Sequence, residues 1–141
     1  MSLFSALSVS ASGMSAQRAR TELLVENLAN ADTTRTPEGG PYRRKDVVFE
    51  PTTFEESLGI AMGNGVAGVA VSDFVEDPRP FERRYEPGHP DADSEGYVAY
   101  PNVSVMEEMA NLVEGSRSYE ANLAAIAIIK AMISRTLEIG R

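Results

Sequence analysis

The sequence predicts a mainly α-helical fold with a small β-rich insertion, in which long N- and C-terminal helices pair as a coiled-coil-like hairpin. Apolar residues recur at helical spacing in residues 3–31 and 104–139, at the two ends of the chain. Between them the apolar pattern changes to period two, and Pro and Gly residues become frequent. We therefore divide the chain into an N-terminal helical segment (1–34), a β-rich or extended middle region (35–101) and a C-terminal helical segment (102–141).

The N-terminal segment combines an apolar face with unusually small side chains. Its first half is rich in Ala, Ser and Gly, which bury little area, and Ser and Gly are mediocre helix formers. We therefore expect it to be poorly ordered alone and helical once it packs against a partner. The apolar face consists of Leu3, Leu7, Met14, Leu24 and Leu28, with Phe4, Ala11 and Val25 beside it.

The middle region reads as short strands separated by turns. Alternating or β-branched residues predict strands at 47–49, 69–75 and 97–100. A short helix is predicted at 53–62, with Thr52 or Thr53 as its cap. The only basic cluster with an adjacent aromatic residue, 42–45, is interpreted as a solvated or interface-facing turn.

The C-terminal helix has the clearer boundaries. Ser104 and Glu107 have the spacing of a capping box, and Gly140, near Arg135 and Arg141, marks the end of the helix. A helix of this length would extend about 50 Å, well beyond the usual 11 or 12 residues.

A heptad pattern in this helix predicts one apolar seam. Three apolar residues, Ile128, Ile129 and Met132, lie off that seam, so the apolar surface is wider than one partner helix can cover. From the pattern alone, an antiparallel helix pair in an ordinary small domain and a seam between subunits are equally open. The predicted seam is Val105, Met109, Leu112, Ser116, Tyr119, Leu123, Ile126, Lys130, Ile133 and Leu137.

Composition limits the possible functions. The net charge is −8, of which −6 falls in residues 35–101, and this argues against nucleic-acid binding, which needs a cationic surface. The chain has no cysteine, so disulfides and thiol chemistry are excluded. The first residues lack the basic start of a cleaved signal, and the most apolar run, 121–129, is shorter than a membrane span.

Catalytic and metal-binding interpretations have little support, and no cofactor is predicted. His89 is the single histidine and stands beside a proline in a turn, without a nucleophile context. Asp91, Asp93 and Glu95 resemble the opening of a calcium loop, but the position for the bidentate glutamate is Asn102. We favour an acidic turn whose side chains bond their own backbone.

Both ends of the chain resemble the terminal motifs of bacterial flagellar axial proteins. The N-terminal match is Ser12-Gly13-Met14 followed by Glu26-Asn27-Leu28-Ala29-Asn30-Ala31-Asp32-Thr33. The C-terminal match is Glu107-Glu108-Met109, Ser116-Arg117-Ser118-Tyr119-Glu120-Ala121-Asn122 and Thr136-Leu137-Glu138-Ile139-Gly140-Arg141. Residues 37–43, 85–93 and 96–103 are similar to the proximal rod proteins of this family. The resemblance covers nearly the whole chain except about 52–66.

The resemblance implies a structural subunit of the basal-body rod and no enzyme activity. It implies export through the flagellar type III apparatus without a cleaved signal, and assembly in the periplasmic rod, where the subunit transmits torque and forms the export channel wall. The implied partners are copies of itself, rod axial proteins of the FlgB, FlgF and FlgG types, and the membrane-ring and export-gate junction of the FliE and FliF types. Two alternatives are kept: a soluble coiled-coil binding module or chaperone, and a small calcium-binding or hydrolytic domain.

The same resemblance assigns subunit contacts to both terminal helices. We expect Asn27, Asn30 and Asp32 to close the first helix. Arg117 and Asn122 either fix the helix register or are exposed and solvated. The residues expected in subunit contacts are Leu7, Met14, Leu24, Asn27, Leu28, Asn30, Met109, Leu112, Tyr119, Asn122, Leu123, Ile126, Ile128, Ile129, Met132, Ile133 and Leu137.

Overall fold

The computed structural model describes residues 3–53 and 67–139. The elements in chain order are helix α1 (Leu3–Ala29), strands β1 (Lys45–Thr53), β2 (Ala67–Glu76), β3 (Glu82–Tyr85) and β4 (Tyr97–Tyr100), and helix α2 (Val105–Ile139). The long terminal helices and the β-rich region between them therefore confirm the mainly α-helical fold with a β-rich insertion. The short helix predicted at 53–62 lies outside the described residues apart from Thr53, which ends β1.

Both long helices form within two residues of their predicted limits. At the start of α2, the Glu107 amide donates to Ser104 Oγ at 3.4 Å, which is the hydroxyl half of the predicted capping box. The Glu107 carboxylate instead lies 3.6 Å from Arg79 Nη1. At the end of α1, Asn30 Nδ2 donates to the Glu26 carbonyl at 2.9 Å, so this side chain closes the helix as expected.

The middle region contains two separate antiparallel pairs of strands. Strands β1 and β2 form the first pair, with a register shift between Val48 and Phe49. Strands β3 and β4 form the second, from Glu82 opposite Tyr100 to Tyr85 opposite Tyr97. Strand β3 was not predicted. All four of its residues are exposed, so it has no buried face and no alternating pattern that would reveal it.

The two helices pack side by side in opposite directions. Asn27 lies against Glu108, Thr21 against Gly115 and Gly13 against Asn122. Residue numbers therefore fall along α1 as they rise along α2. This is the antiparallel arrangement of a helical hairpin, whereas coiled-coil packing within it stays a prediction. In the structure the small-sided half of α1 is helical, and Ser12 Oγ accepts from the Val69 amide of β2 at 3.2 Å. Ordering of that half only on packing also stays a prediction.

The face of α2 that meets α1 differs from the predicted seam. The inward positions are Glu108, Gly115, Asn122 and Ile129, spaced by seven residues. Each lies one residue before a predicted seam position, and one residue rotates the helix surface by about 100°. The pattern alone left the seam open between the helix pair and a contact between subunits, and the structure shows that the intramolecular contact is not centred on it. An apolar pattern identifies residues that need covering, but it does not say which partner covers them.

The hydrophobic core is small. The chain exposes 9671 Å², whereas a compact monomer of 15.2 kDa is expected to expose about 7,100 Å². Many large apolar side chains of the described residues are exposed, and these are available for contacts beyond the chain. Among the described residues, the buried apolar side chains are Ala16, Leu23, Leu24, Tyr42, Val98, Tyr100 and Ile129.

Candidate assembly interface

One side of α2 carries a row of exposed apolar side chains, which we call the outer face. At about 100° per residue its members fall within about 140° of the helix surface, beside the contact with α1. Their exposed fractions run from 38% for Tyr119 to 83% for Met106. The row is densest from Val105 to Leu123, and charged residues such as Lys130 separate Leu137 from the rest. A cluster of exposed apolar side chains of this kind indicates an interaction surface. The outer face consists of Val105, Met106, Met109, Val113, Tyr119, Leu123 and Leu137.

A groove between the two helices adjoins the outer face. Its volume is about 460 Å³, and Leu112 and Tyr119 supply its apolar wall on α2. On α1 it is lined by Arg18, Thr21 and Glu22, and Arg18 Nε donates to Glu22 Oε1 at 2.9 Å. The helix pair therefore presents a ridge and a hollow on the same side.

The structure places the predicted contact residues in three environments. The buried ones, Leu24, Asn27 and Ile129, are covered within the chain. The prediction that Ile129 faces neighbouring subunits was therefore wrong, because only 7% of this residue is exposed. The half-buried ones are Leu7, Met14, Leu28, Asn30, Leu112, Asn122, Ile126 and Ile133. The exposed ones are Met109, Tyr119, Leu123, Ile128, Met132 and Leu137.

Small residues bring the helices close together at two points. A Cβ atom added at Gly13 would lie 3.1 Å from Asn122 Nδ2, and one added at Gly115 would lie 3.2 Å from Thr21 Oγ1. For Arg117 and Asn122 the sequence left open whether they fix the register or are solvated; Asn122 lies in the helix contact, whereas Arg117 is exposed. Because the contact uses small side chains at these two points, it adds little apolar burial there.

A buried polar cluster joins α1, β1 and α2 at one end of the helix pair. We call it the polar clamp and define it as Asn27, Tyr42, Arg44, Asp77 and Glu108. Asn27 and Glu108 are fully buried, and Arg44 is 8% exposed. Arg44 Nε donates to Glu108 Oε1 at 2.6 Å, and Arg44 Nη1 lies 3.4 Å from Asp77 Oδ2. Both charges are therefore buried together and paired, as buried charges require.

Asn27 links the clamp to the first residue of β1. Its Nδ2 donates to the Lys45 carbonyl at 2.8 Å and to Glu108 Oε2 at 3.2 Å. Its Oδ1 accepts from the Lys45 amide at 3.0 Å and from the Tyr42 hydroxyl at 2.9 Å. All four hydrogen-bonding positions of this amide are thus used. Our prediction that Asn27 closes α1 was wrong, because it binds a neighbouring strand instead.

The surroundings of Tyr42, Arg44 and Asp77 shift the pKa values of these three clamp residues. Burial, reinforced by the nearby Glu26 charge, raises the pKa of Tyr42 to about 12. Burial alone would lower the pKa of Arg44, but hydrogen bonds and charges from Glu108 and Asp46 outweigh it and raise that pKa. The Arg79 side chain lowers the pKa of Asp77. At neutral pH Tyr42 is therefore neutral and Arg44 is charged.

The pattern of residues 42–45 is misleading for this cluster. We interpreted residues 42–45 as a solvated or interface-facing turn, but Tyr42 and Arg44 are buried, so the interpretation was wrong for both. A run of Arg, Arg and Lys is usually solvated, and the buried acid that pairs with Arg44 lies 64 residues away in Glu108. The one sign of a special role was the place of Glu108 inside the Glu107-Glu108-Met109 motif, which resembles the C-terminal motif of flagellar axial proteins.

The aspartates of the acidic turn make structural hydrogen bonds, one set within the turn and one with a distant residue. Asp93 Oδ1 accepts from the Glu95 and Tyr97 amides at 2.9 and 2.8 Å, and these bonds, led by the one from Tyr97, lower its pKa. Asp91 Oδ2 accepts from Thr34 Oγ1 at 2.8 Å. Among residues 3–53 and 67–139 no group of three or more His, Asp or Glu side chains is arranged to hold a metal ion.

Neither α1 nor α2, as far as the structure describes them, is sufficiently apolar over a sufficient length to cross a bilayer.

Comparison with known proteins gives matches at both ends and over the full length. Residues 7–35 match the family described as "Flagella basal body rod protein", and residues 94–139 match "Flagellar basal body rod FlgEFG protein C-terminal". The chain is 45% identical to "Flagellar basal-body rod protein FlgC" of Bacillus subtilis, with 100% of both chains covered. It is 40% identical to the protein of that name in Escherichia coli O157:H7, again with 100% of both covered. The one in Borreliella burgdorferi is 39% identical, with 99% of this chain and 98% of the other covered.

Proposed function

The chain belongs to the family of flagellar basal-body rod proteins of the FlgC type, and from that premise we propose that it builds the proximal part of the rod by polymerising through α1 and α2. A protein of this family is a structural subunit of the flagellar basal body. The observation that carries the proposal is the outer face of α2, whose seven apolar side chains have exposed fractions of 38% or more. Burial of that surface against other subunits would supply the free energy of assembly.

The shape of the helix pair supports contacts on more than one side. The outer face and the adjoining groove lie on one side of α2, whereas Ile128 and Met132, 61% and 43% exposed, lie on the other. A subunit in a tube has neighbours on several sides, and each neighbour must contact a different surface of that subunit. We therefore assign the outer face and the Ile128–Met132 surface to different neighbours.

The proposed binding partners follow from the position of the subunit in the proximal rod. We propose contacts with copies of this chain, with rod axial proteins of the FlgB, FlgF and FlgG types, and with the junction of the FliE and FliF types at the membrane ring and export gate. The subunit would reach the periplasm through the type III export apparatus without a cleaved signal. Once assembled, it would transmit torque, and its helices would form part of the wall of the export channel.

Substituting Leu123 by Asp tests the assembly surface. Leu123 is 52% exposed, so the charge would leave the fold of the subunit intact but would be buried without a partner in a subunit contact. We expect normal expression and loss of swimming in cells whose own copy carries Leu123→Asp. Ile126→Asp should also abolish assembly, but Ile126 is half-buried, so that variant would disturb the helix pair as well.

Leu123→Met is the matched control, because it keeps an apolar side chain of similar volume at the same position. Cells with this variant should swim normally. Normal swimming with Leu123→Asp would remove the outer face from the subunit contacts. Secretion and basal-body incorporation also distinguish the rod from a soluble coiled-coil module, which would remain functional without either.

A further inference from the structure

The contact between α1 and α2 repeats along its length. The inward positions Gly115, Asn122 and Ile129 follow Glu108 at intervals of seven residues; Thr21 of α1 faces Gly115, and Gly13 faces Asn122. If α2 slid along α1 by one heptad, about 10.5 Å, three of these four positions would each take the place of another. The slip would bring Asn122 or Glu108 beside Thr21 in place of Gly115, and this crowding opposes it. A small separation of the helices would relieve the crowding, so the helix contact by itself does not fix the register.

The polar clamp does not repeat. Glu108 is the inward residue of α2 that carries a charge, and it receives bonds from Arg44 at 2.6 Å and from Asn27 at 3.2 Å. A slip of one heptad would move Gly115 into that position and leave the buried Arg44 guanidinium without this carboxylate. A buried charge without its partner is strongly unfavourable, so the slipped arrangement is disfavoured most strongly at this point.

We propose that the polar clamp is the register-setting device of this subunit: Arg44 and Asn27, positioned by the start of β1, accept α2 only when Glu108 is aligned with them. Buried polar groups are best known to act in this way in paired helices. The clamp thereby connects the N-terminal motif, through Asn27, with the C-terminal motif, through Glu108. It also connects both to the middle region. The proposal concerns contacts within one chain, so it stands or falls independently of where the chain assembles.

Engineered cysteine pairs report the register directly, because the chain has no cysteine of its own. Thr21→Cys with Gly115→Cys reports the native register, since a Cβ at Gly115 would lie 3.2 Å from Thr21 Oγ1. Thr21→Cys with Asn122→Cys reports a slip in one direction, and Gly13→Cys with Gly115→Cys a slip in the other. In the native register each of these two pairs is separated by about one heptad, too far for a disulfide.

The test compares the purified full-length chain with a double variant, Arg44→Met with Glu108→Leu, that replaces the buried pair by apolar side chains of similar size. The native pair should cross-link efficiently with the clamp intact. In the double variant its yield should fall several-fold, and one of the slipped pairs should gain yield. The matched control, Glu82→Leu with Arg84→Met, removes an exposed pair at 3.2 Å and should keep the native yield.

Two results would overturn the proposal. If the double variant keeps the native cross-link in full, the register is set elsewhere. If it loses that cross-link and neither slipped pair gains yield, the clamp only holds the helix ends together. A chain with its clamp intact that fails to form the native cross-link would count against the proposal as well.

Discussion

At the scale of single residues, the Arg44–Glu108 pair has the strongest expected effect on stability. Both side chains are buried and 2.6 Å apart, and removing one partner of such a pair typically costs about 3–5 kcal/mol. We therefore expect Glu108→Gln to lower the free energy of unfolding by about 3 kcal/mol, because Arg44 would remain charged and buried. Urea unfolding of the purified chain measures this change.

An exposed glutamate provides the comparison for Glu108. Glu82 is also paired with an arginine, Arg84, but both side chains are about half exposed. Glu82→Gln should change the free energy of unfolding by no more than about 0.5 kcal/mol. Equal effects of the two substitutions would mean that burial does not strengthen the Glu108 pair.

Tyr42 makes stability depend on alkaline pH. Its pKa in the folded chain is about 12, above its ordinary value of 10.0, so the folded state favours the neutral phenol. This contribution is complete below pH 10 and is lost as the pH rises through 12; it amounts to on the order of 2 kcal/mol. Ultraviolet titration of the five tyrosines should show a late tyrosinate that Tyr42→Phe removes. If Tyr42→Phe removes an early-titrating group instead, the hydroxyl is not buried as described.

At the scale of elements, hydrophobic periodicity identified both helices and three of the four strands. It could not identify β3, which buries neither face, and it could not assign the apolar face of α2 to a partner. Periodicity shows which residues need to be buried. Several of those on α2 are exposed in the single chain, so contacts with other chains are needed to bury them. The clamp was hidden for another reason: its bonds join residues from four distant parts of the sequence, so the short-range patterns of residues 42–45 gave no sign of it.

The close approach of α1 and α2 predicts a strong size limit at Gly115. This residue is buried, and even a Cβ there would lie 3.2 Å from Thr21 Oγ1. Gly115→Leu should force the helices apart and lower the free energy of unfolding by about 1–3 kcal/mol. The control is Gly88→Leu, where an added Cβ meets no atom within 4 Å. Equal stability of the two variants would contradict the close helix contact.

At the scale of the whole molecule, the distribution of charge and of apolar surface fits a subunit that is completed by its neighbours. Residues 35–101 carry −6 of the net charge of −8, so the helical segments are nearly neutral. Nearly neutral helices can pack closely against copies of themselves without strong repulsion between like charges. The exposed area of 9671 Å² exceeds that of a compact chain of this mass, which leaves apolar surface for such packing.

Cryo-electron microscopy of isolated basal bodies tests the assembly account most directly. It should place this chain in the proximal rod, with α1 and α2 antiparallel along the tube and with Met109, Tyr119 and Leu123 buried against neighbouring subunits. The account would be contradicted if these three side chains faced solvent in the assembled rod, or if the chain were reproducibly missing from intact basal bodies.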